Sequence, residues 1–255
     1  MPRSEFGRVM GRWAALEEDV LGRPWPWRGK DLTVREALYR TLEDEQEALV
    51  RTRLGSRAPE ATVALALAQR AFGELCGALA GLPEDLLHAA PSPGQWSVRQ
   101  TLAHMLAVER RYLLSTLHAA RRRDGDPMRP AQADLDAASV VADTDGAEDL
   151  LVRLGEARRE THRLAGALPG EALTRPTEWA GYEVDVRFRL HRFAVHVVEH
   201  TVQCEKALRA LGWRESEGRQ IVRRIWAARG EHEALAPAGG LAALDAAAAA
   251  RAGSF

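Results

Sequence analysis

From Ser97 onward the chain carries apolar residues at Val98, Leu102, Met105, Leu106, Leu113 and Leu117, at intervals that bring them to one face of a helix. Ser97 is followed three residues later by Gln100, so hydroxyl and amide can each satisfy a backbone N–H that a helix start leaves free. The same pattern recurs at Thr33 with Glu36 and at Asp145 with Glu148. A helix with such a stripe must bury it, and the partners available in this chain are other helices. β-Branched and aromatic residues are sparse, Ala, Leu, Arg and Glu dominate, and no segment alternates strictly for long. The expected class is therefore all-α.

Helices are expected over about 5–20, 33–54, 60–80, 97–122, 146–168, 183–211 and 215–230. The second is preceded by a loop, Arg23-Pro24-Trp25-Pro26-Trp27-Arg28-Gly29-Lys30, whose tryptophans either line a binding mouth or, as the reading preferred here, pin the loop to the core. The third carries Leu65, Ala68, Phe72, Leu75, Cys76 and Leu79 at helical spacing, Pro169-Gly170 cuts the fifth, and Gly212 closes the sixth. The helices at 60–80, 97–122, 146–168 and 183–211 should form a bundle core over residues 57–212. Residues 1–56 would be a helical extension packed on it, and 213–255 a further helix with a frayed, Ala-rich end. The segment Leu32–Leu38 weakly echoes Trp96–Leu102, which a shared capped helix start explains without a true duplication.

Apolar residues make up 46% and charged residues 28%, the balance of a soluble globular protein. The 35 basic residues are interspersed with 36 acidic ones and the net charge is −1, so no electrostatic footprint for nucleic acid exists. No apolar run approaches the roughly 18 residues of a membrane-spanning helix, and no leader pattern opens the sequence, so a cytoplasmic protein without membrane partners is expected. Cys76 and Cys204 match no zinc-finger spacing and are expected to be reduced thiols.

The chemistry concentrates in His191-Arg192-Phe193-Ala194-Val195-His196-Val197-Val198-Glu199-His200. Residues four apart share a helix face, so His196 and His200 can both reach one ion. Their face continues through Phe193, Ala207 and Leu211 and so points into the bundle, where an unpaired ring is costly. Such a pair also occurs as surface or hydrogen-bonded core histidines. A third ligand would have to come from a facing helix, and His104, on the flank of its apolar stripe, is the candidate. Cys204, one turn beyond His200, either joins a metal or packs as core; His191 lies on another face; Glu109 and Gln203 either orient ligands or hydrogen-bond within the bundle.

The run Pro91-Ser92-Pro93-Gly94-Gln95-Trp96-Ser97-Val98-Arg99-Gln100-Thr101-Leu102-Ala103-His104, with Glu109 five residues on, resembles the Trp-Ser-Val, then Leu-x-His, pattern of the DinB-like superfamily, its thiol-transferase-type branch in particular. His196-x-x-x-His200 with Thr201 and Gln203 resembles the second half of that signature, and the resemblance spans about residues 60–212. It implies a four-helix bundle with His104, His196 and His200 as ligands of a divalent ion, zinc or nickel first and iron next, with positions open to water or a thiol. It also implies a metal-dependent enzyme that activates a low-molecular-weight thiol, such as mycothiol, bacillithiol or glutathione, for transfer to, or isomerisation of, a small electrophile. The Ala- and Arg-rich composition hints at a GC-rich genome, for which mycothiol is one candidate. The alternatives are a non-catalytic metal- or ligand-binding bundle and a helical interaction module with structural histidines. A sulfoxide synthase is set aside, since the roughly 40 residues after the bundle cannot encode its additional domain. Three imidazoles do not discriminate among metals. A homodimer is compatible with the sequence, although no exposed apolar stripe in it demands one.

Overall fold

The computed structural model describes residues 4–142, 145–236 and 240–254. The elements run α1 (Glu5–Ala14), α2 (Glu18–Leu21), β1 (Pro24–Trp27), β2 (Lys30–Thr33), α3 (Val34–Gly55), α4 (Glu60–Leu79), α5 (Glu84–His88) and α6 (Val98–Arg121). They continue with α7 (Gln132–Ala138), α8 (Ala147–Ala165), α9 (Gly170–Leu173), β3 (Pro176–Trp179), β4 (Tyr182–Asp185), α10 (Val186–Ala210), α11 (Glu217–Leu235) and α12 (Ala242–Ala252). The fold is all-α in its framework: α4, α6, α8 and α10 are the expected bundle helices, and among the described residues the strands form two isolated two-stranded hairpins. Among the described residues no helix is long and apolar enough to cross a membrane.

Helix α4 is buried over most of its surface, from Ala61 to Leu79, because α10 packs along one side of it and α11 along another. The approach of α11 is at backbone distance. A Cβ on Gly73 would lie 2.1 Å from the carbonyl oxygen of Trp226, and one on Gly230 would lie 2.4 Å from that of Gln69. Phe6, Met10, Trp13, Leu38, Phe72, Leu75, Leu102, Leu154, Leu208 and Ile225 all belong to one buried apolar cluster, so the terminal helices share a core with the bundle.

The capping boxes at Thr33 and Ser97 are present. The Thr33 N–H donates to Glu36 Oε2 at 2.5 Å, while Ser97 and Gln100 exchange bonds of 2.9 and 3.2 Å. The one expected at Asp145 is not. Helix α8 starts one residue later, with Gly146 as its cap; the Ala147 N–H donates to Glu84 Oε1 of α5 at 2.8 Å, and Asp145 is drawn into an ion pair with Arg153. At Gly212, φ is +84°, and the Trp213 N–H closes back on the Leu208 carbonyl at 3.0 Å, ending α10 as expected.

Four other expectations are corrected. The helix over 5–20 breaks after Ala14, which lets both Trp13 and Leu21 turn into the core. The loop at 23–30 is instead the start of the β1–β2 hairpin, and the start of the helix over 183–211 is strand β4. Both hairpins turn on two residues with positive φ, Arg28 (49°) with Gly29 (74°) and Ala180 (51°) with Gly181 (83°), the combination that matches strand twist. Trp25 is buried and stacks on Trp27, so these tryptophans pin the hairpin. The Ala-rich end is a docked helix: Arg251 holds Asp44 at 2.5 Å, Arg229 of α11 pairs with Asp245, and the Trp25 indole N–H donates to Ser254 Oγ at 2.9 Å.

The two hairpin–helix units repeat. Arg23-Pro24, Trp27, Gly29 and Val34-Arg35 recur as Arg175-Pro176, Trp179, Gly181 and Val186-Arg187 at the same spacing. The same backbone bond closes each, Val34 N–H to Arg23 O at 3.0 Å and Val186 N–H to Arg175 O at 3.1 Å. Each helix also lays an arginine on the hairpin tryptophan, Arg40 on Trp27 and Arg192 on Trp179. The internal echo therefore links residues 23–35 with 175–187, not 32–38 with 96–102. On their outer faces α4 and α10 leave Val63, Leu67, Val195, Val198 and Val202 about half exposed, an apolar surface the sequence had not suggested.

The backbone contact between α4 and α11 predicts that Gly73→Ala costs at least the roughly 1–3 kcal/mol typical of overpacking. Gly170→Ala, with open space around its Cβ, should stay within about 0.5 kcal/mol of the parent. Urea unfolding monitored by circular dichroism measures both. Equal stabilities would mean that α11 is only loosely apposed to α4.

Candidate metal centre

His104 comes from the second turn of α6, and His196 and His200 from successive turns of α10. The helices run antiparallel, because the His104 ring lies 5.4 Å from that of His196 and 4.7 Å from that of His200, while Tyr112, two turns along α6, meets Phe193, on the preceding turn of α10. One ring nitrogen of each histidine lies within 4.8 Å of the others. His196 Nε2 and His104 Nε2 are 3.4 Å apart, close to the separation of about 3.3 Å that a tetrahedral ion with metal–nitrogen bonds near 2.05 Å imposes.

The donor set fits a divalent ion on further grounds. His196 and His200 are only 7% and 9% exposed, yet among the described residues no carboxylate enters the cluster to form an ion pair with either ring. Gln203 Oε1 sits 2.7 Å from His200 Nδ1, which places the ring proton on Nδ1 and leaves the Nε2 lone pair free to coordinate. Burial first, then the other two imidazoles and Arg192, push the His196 pKa down to about 3. Burial, then His200 and Arg111, hold His104 below its ordinary value. Both rings are therefore neutral at physiological pH, as metal ligation requires.

The neighbouring residues sort themselves by their partners. Glu109 turns away from the histidines to accept from Arg158 at 2.8 Å and Thr161 at 2.5 Å, and Arg158 in turn lies over the Phe193 ring. It supports the wall behind the site and orients no ligand. Cys204 lies outside the cluster; burial pushes its thiol up to about 12, so it is a core residue and not a thiolate. Cys76 is likewise a buried free thiol. His191 is exposed on another face of α10.

Two clefts reach the centre, and the residues they share are His104 and His200. One, of about 490 Å³, runs toward the β3–β4 hairpin and is lined by Arg111, Tyr112, Arg129, Trp179, Arg189 and Arg192. The other, of about 740 Å³, opens beside the loop before α6 and is lined by Gln95, Trp96, Gln203 and Lys206, with Trp96 tilted against the His104 ring at 5.2 Å. The sequence reading missed these arginines. Arg111, two turns after His104, and Arg192, one turn before His196, lie on the faces of their own helices that carry the ligands, and that spacing was the available signal.

YfiT from Bacillus subtilis, described as a probable metal-dependent hydrolase with an unusual four-helix bundle topology, superposes with a TM-score of 0.50 at 18% identity, covering 63% of this chain and 93% of that one. At that identity the likeness is one of fold. No curated protein matches the sequence. The sequence profile of the DinB superfamily matches residues 64–204, more than half of the chain and the span that contains all three histidines, and the chain belongs to that superfamily.

Proposed function

We propose that the protein is a metal-dependent enzyme in which His104, His196 and His200 hold one zinc or nickel ion, with iron as the alternative, and a low-molecular-weight thiol reacts with a small electrophile. The thiol would be of the mycothiol, bacillithiol or glutathione kind. The observation that carries this reading is the pair of clefts meeting at the histidines, since two separate approaches suit two co-substrates. An ion held by these histidines would supply Lewis acidity, which brings the ionisation of a thiol toward neutral pH.

The chain's own groups position the reactants. Gln203 fixes the tautomer of His200, Trp96 walls one approach and Tyr112 and Trp179 the other, with the Trp179 indole N–H reaching Tyr112 Oη at 3.4 Å. Overall, the thiol proton leaves to solvent and the sulfur pair forms a carbon–sulfur bond. The displaced electrons depart with a leaving group or, in an addition, settle on a neighbouring atom that takes up a proton. In an isomerisation the carbon–sulfur bond breaks again after rotation. Neither cysteine of the chain competes as nucleophile, because both are buried and protonated.

The description of YfiT favours a second reading, in which water takes the place of the thiol. The two differ in one observable, the dependence of turnover on added thiol.

Untagged protein should retain about one ion per chain by elemental analysis, and His104→Ala and His196→Ala should each lose it. Gln203→Ala should weaken metal affinity by about 10–100-fold, as removal of such an orienting partner does. The loaded protein should then consume a bimane or chlorodinitrobenzene electrophile only when glutathione, bacillithiol or mycothiol is added. Failure to retain zinc or nickel would sink the metalloenzyme reading, and ester hydrolysis without thiol dependence would transfer the site to water chemistry.

Metal loading should also resist acid. The depressed His196 and His104 let protons compete for these rings only in acid, so half-loading in a pH series of dialysed samples should fall clearly below 6.5, the ordinary imidazole value. A half-loading pH at or above that value would contradict the desolvation of these rings.

A further inference from the structure

The cleft facing the β3–β4 hairpin carries four guanidinium groups, from Arg111, Arg129, Arg189 and Arg192, against two carboxylates, Glu178 and Glu199. Two of the four are committed. Arg129 pairs with Glu178 at 3.4 Å, and Arg189 donates to Thr177 Oγ1 at 3.2 Å and to the Glu178 carbonyl. Arg111 has no hydrogen bond or ion pair among the described residues. Arg192 has only the largely exposed Glu199 at 3.6 Å, and its Nε is buried without a partner. Its guanidinium lies over Trp179, 4.8 Å from the ring centre. An arginine stacked in this way has already lost much of its freedom, so little entropy remains to be lost on binding an anion.

The antiparallel helices place Arg111 and Arg192 on the same side of the histidines. Arg111 is seven residues along α6 from His104, about 10 Å of helix rise, and Arg192 is four residues back along α10 from His196, about 6 Å. A divalent ion would add further positive charge at the inner end of the same cleft. The duplicated unit supplies a contrast within the molecule: in α3 the equivalent Arg40 also lies over its tryptophan, but Glu43 holds it at 2.5 Å, and Asp44 and Ala48 stand where α10 has His196 and His200. The copy at the site is the one whose arginine has the longer carboxylate contact, Glu199 at 3.6 Å.

We infer that the hairpin-side cleft binds the carboxylate end of a substrate, gripped by Arg111 and Arg192, and holds its reactive end at the three histidines. This rests on the metal-centre reading for the reacting end alone; the anion grip belongs to the cleft itself. The carboxylate could belong to the thiol or to the electrophile. Binding to cobalt-loaded protein, followed by the cobalt absorption spectrum and by calorimetry, separates these sources from each other and from failure of the thiol reading.

The thiol probes are ω-mercapto-carboxylates of graded chain length and neutral mercapto-alcohols of matching size; the second arm titrates crotonate and succinate into protein saturated with a neutral thiol. The best carboxylate probe in one of these arms should bind about tenfold more tightly than its neutral analogue, the scale of a charge-assisted contact. Arg111→Gln and Arg192→Gln should each reduce that preference and the double variant should abolish it, with cobalt loading unchanged. A preference in the first arm assigns the carboxylate to the thiol, and one in the second arm to the electrophile. Equal binding of charged and neutral probes in both arms, or a preference that survives in the double variant, overturns the inference. If no thiol perturbs the cobalt spectrum but succinate binds to the loaded protein in an arginine-dependent way, the anion site stands and the thiol reading falls.

Discussion

Helix α4 is covered on all but the outer stripe of Val63, Leu67 and Arg70, and the rest of the molecule is arranged around that constraint. From Ala61 to Leu79 its residues are small or apolar almost throughout, so a helix covered on one side only would leave a large area in water. Gly73 and Gly77 let α11 approach at backbone distance, which covers one side with little side-chain bulk between the helices. The other side is left to α10, and α6 packs against α10 in turn. His196 and His200 are thus carried on a helix fixed by the core, and His104 on the helix packed against it. A site built on rigid elements holds its donors to the tolerance a metal requires, which loops seldom do.

Much of this was legible in the sequence because helix period and capping are local. The stripe on α6, the boxes at Thr33 and Ser97 and the terminator at Gly212 report on residues within one or two turns, and the structure reproduces them. The histidine pair on α10 was legible for the same reason. The placement of His104 beside it is a contact across 92 residues of chain, which no period predicts; it was foreseen through the family-like pattern around Trp96 and His104.

What escaped was of two kinds. The hairpins are four residues to a strand, too short for alternation to register, and their best signal was the x-Gly turn between aromatic-bearing strands. The ends of the chain were misread because Ala-rich sequence contains little that advertises a partner. Helix α12 docks through Asp245, Arg251 and Ser254, and the groups that receive them, on α11, α3 and β1, are not adjacent in sequence. The cap at Asp145 failed for a related reason: a carboxylate that can cap a helix can also pair with an arginine, and Arg153 was in reach.

The repeated hairpin–helix unit links fold to chemistry. In both copies a Trp at the end of the first strand carries an arginine from the second turn of the following helix, so the unit orients a guanidinium in a defined direction. In the first copy that orientation is used for packing: Trp25 is buried, Arg40 pairs with Glu43, and Asp44 ties down the C-terminal helix. In the second copy the equivalent positions face a cleft. The hairpin walls it, Arg192 lies along it, and the residues one and two turns further on are histidines. A device that packs a chain can become a binding device when its close partner is replaced, as Glu43 is by Val195, because a guanidinium held in place with only a longer carboxylate contact offers its remaining donors to whatever anion enters. The two copies differ in that way, and the difference falls where three imidazoles also meet.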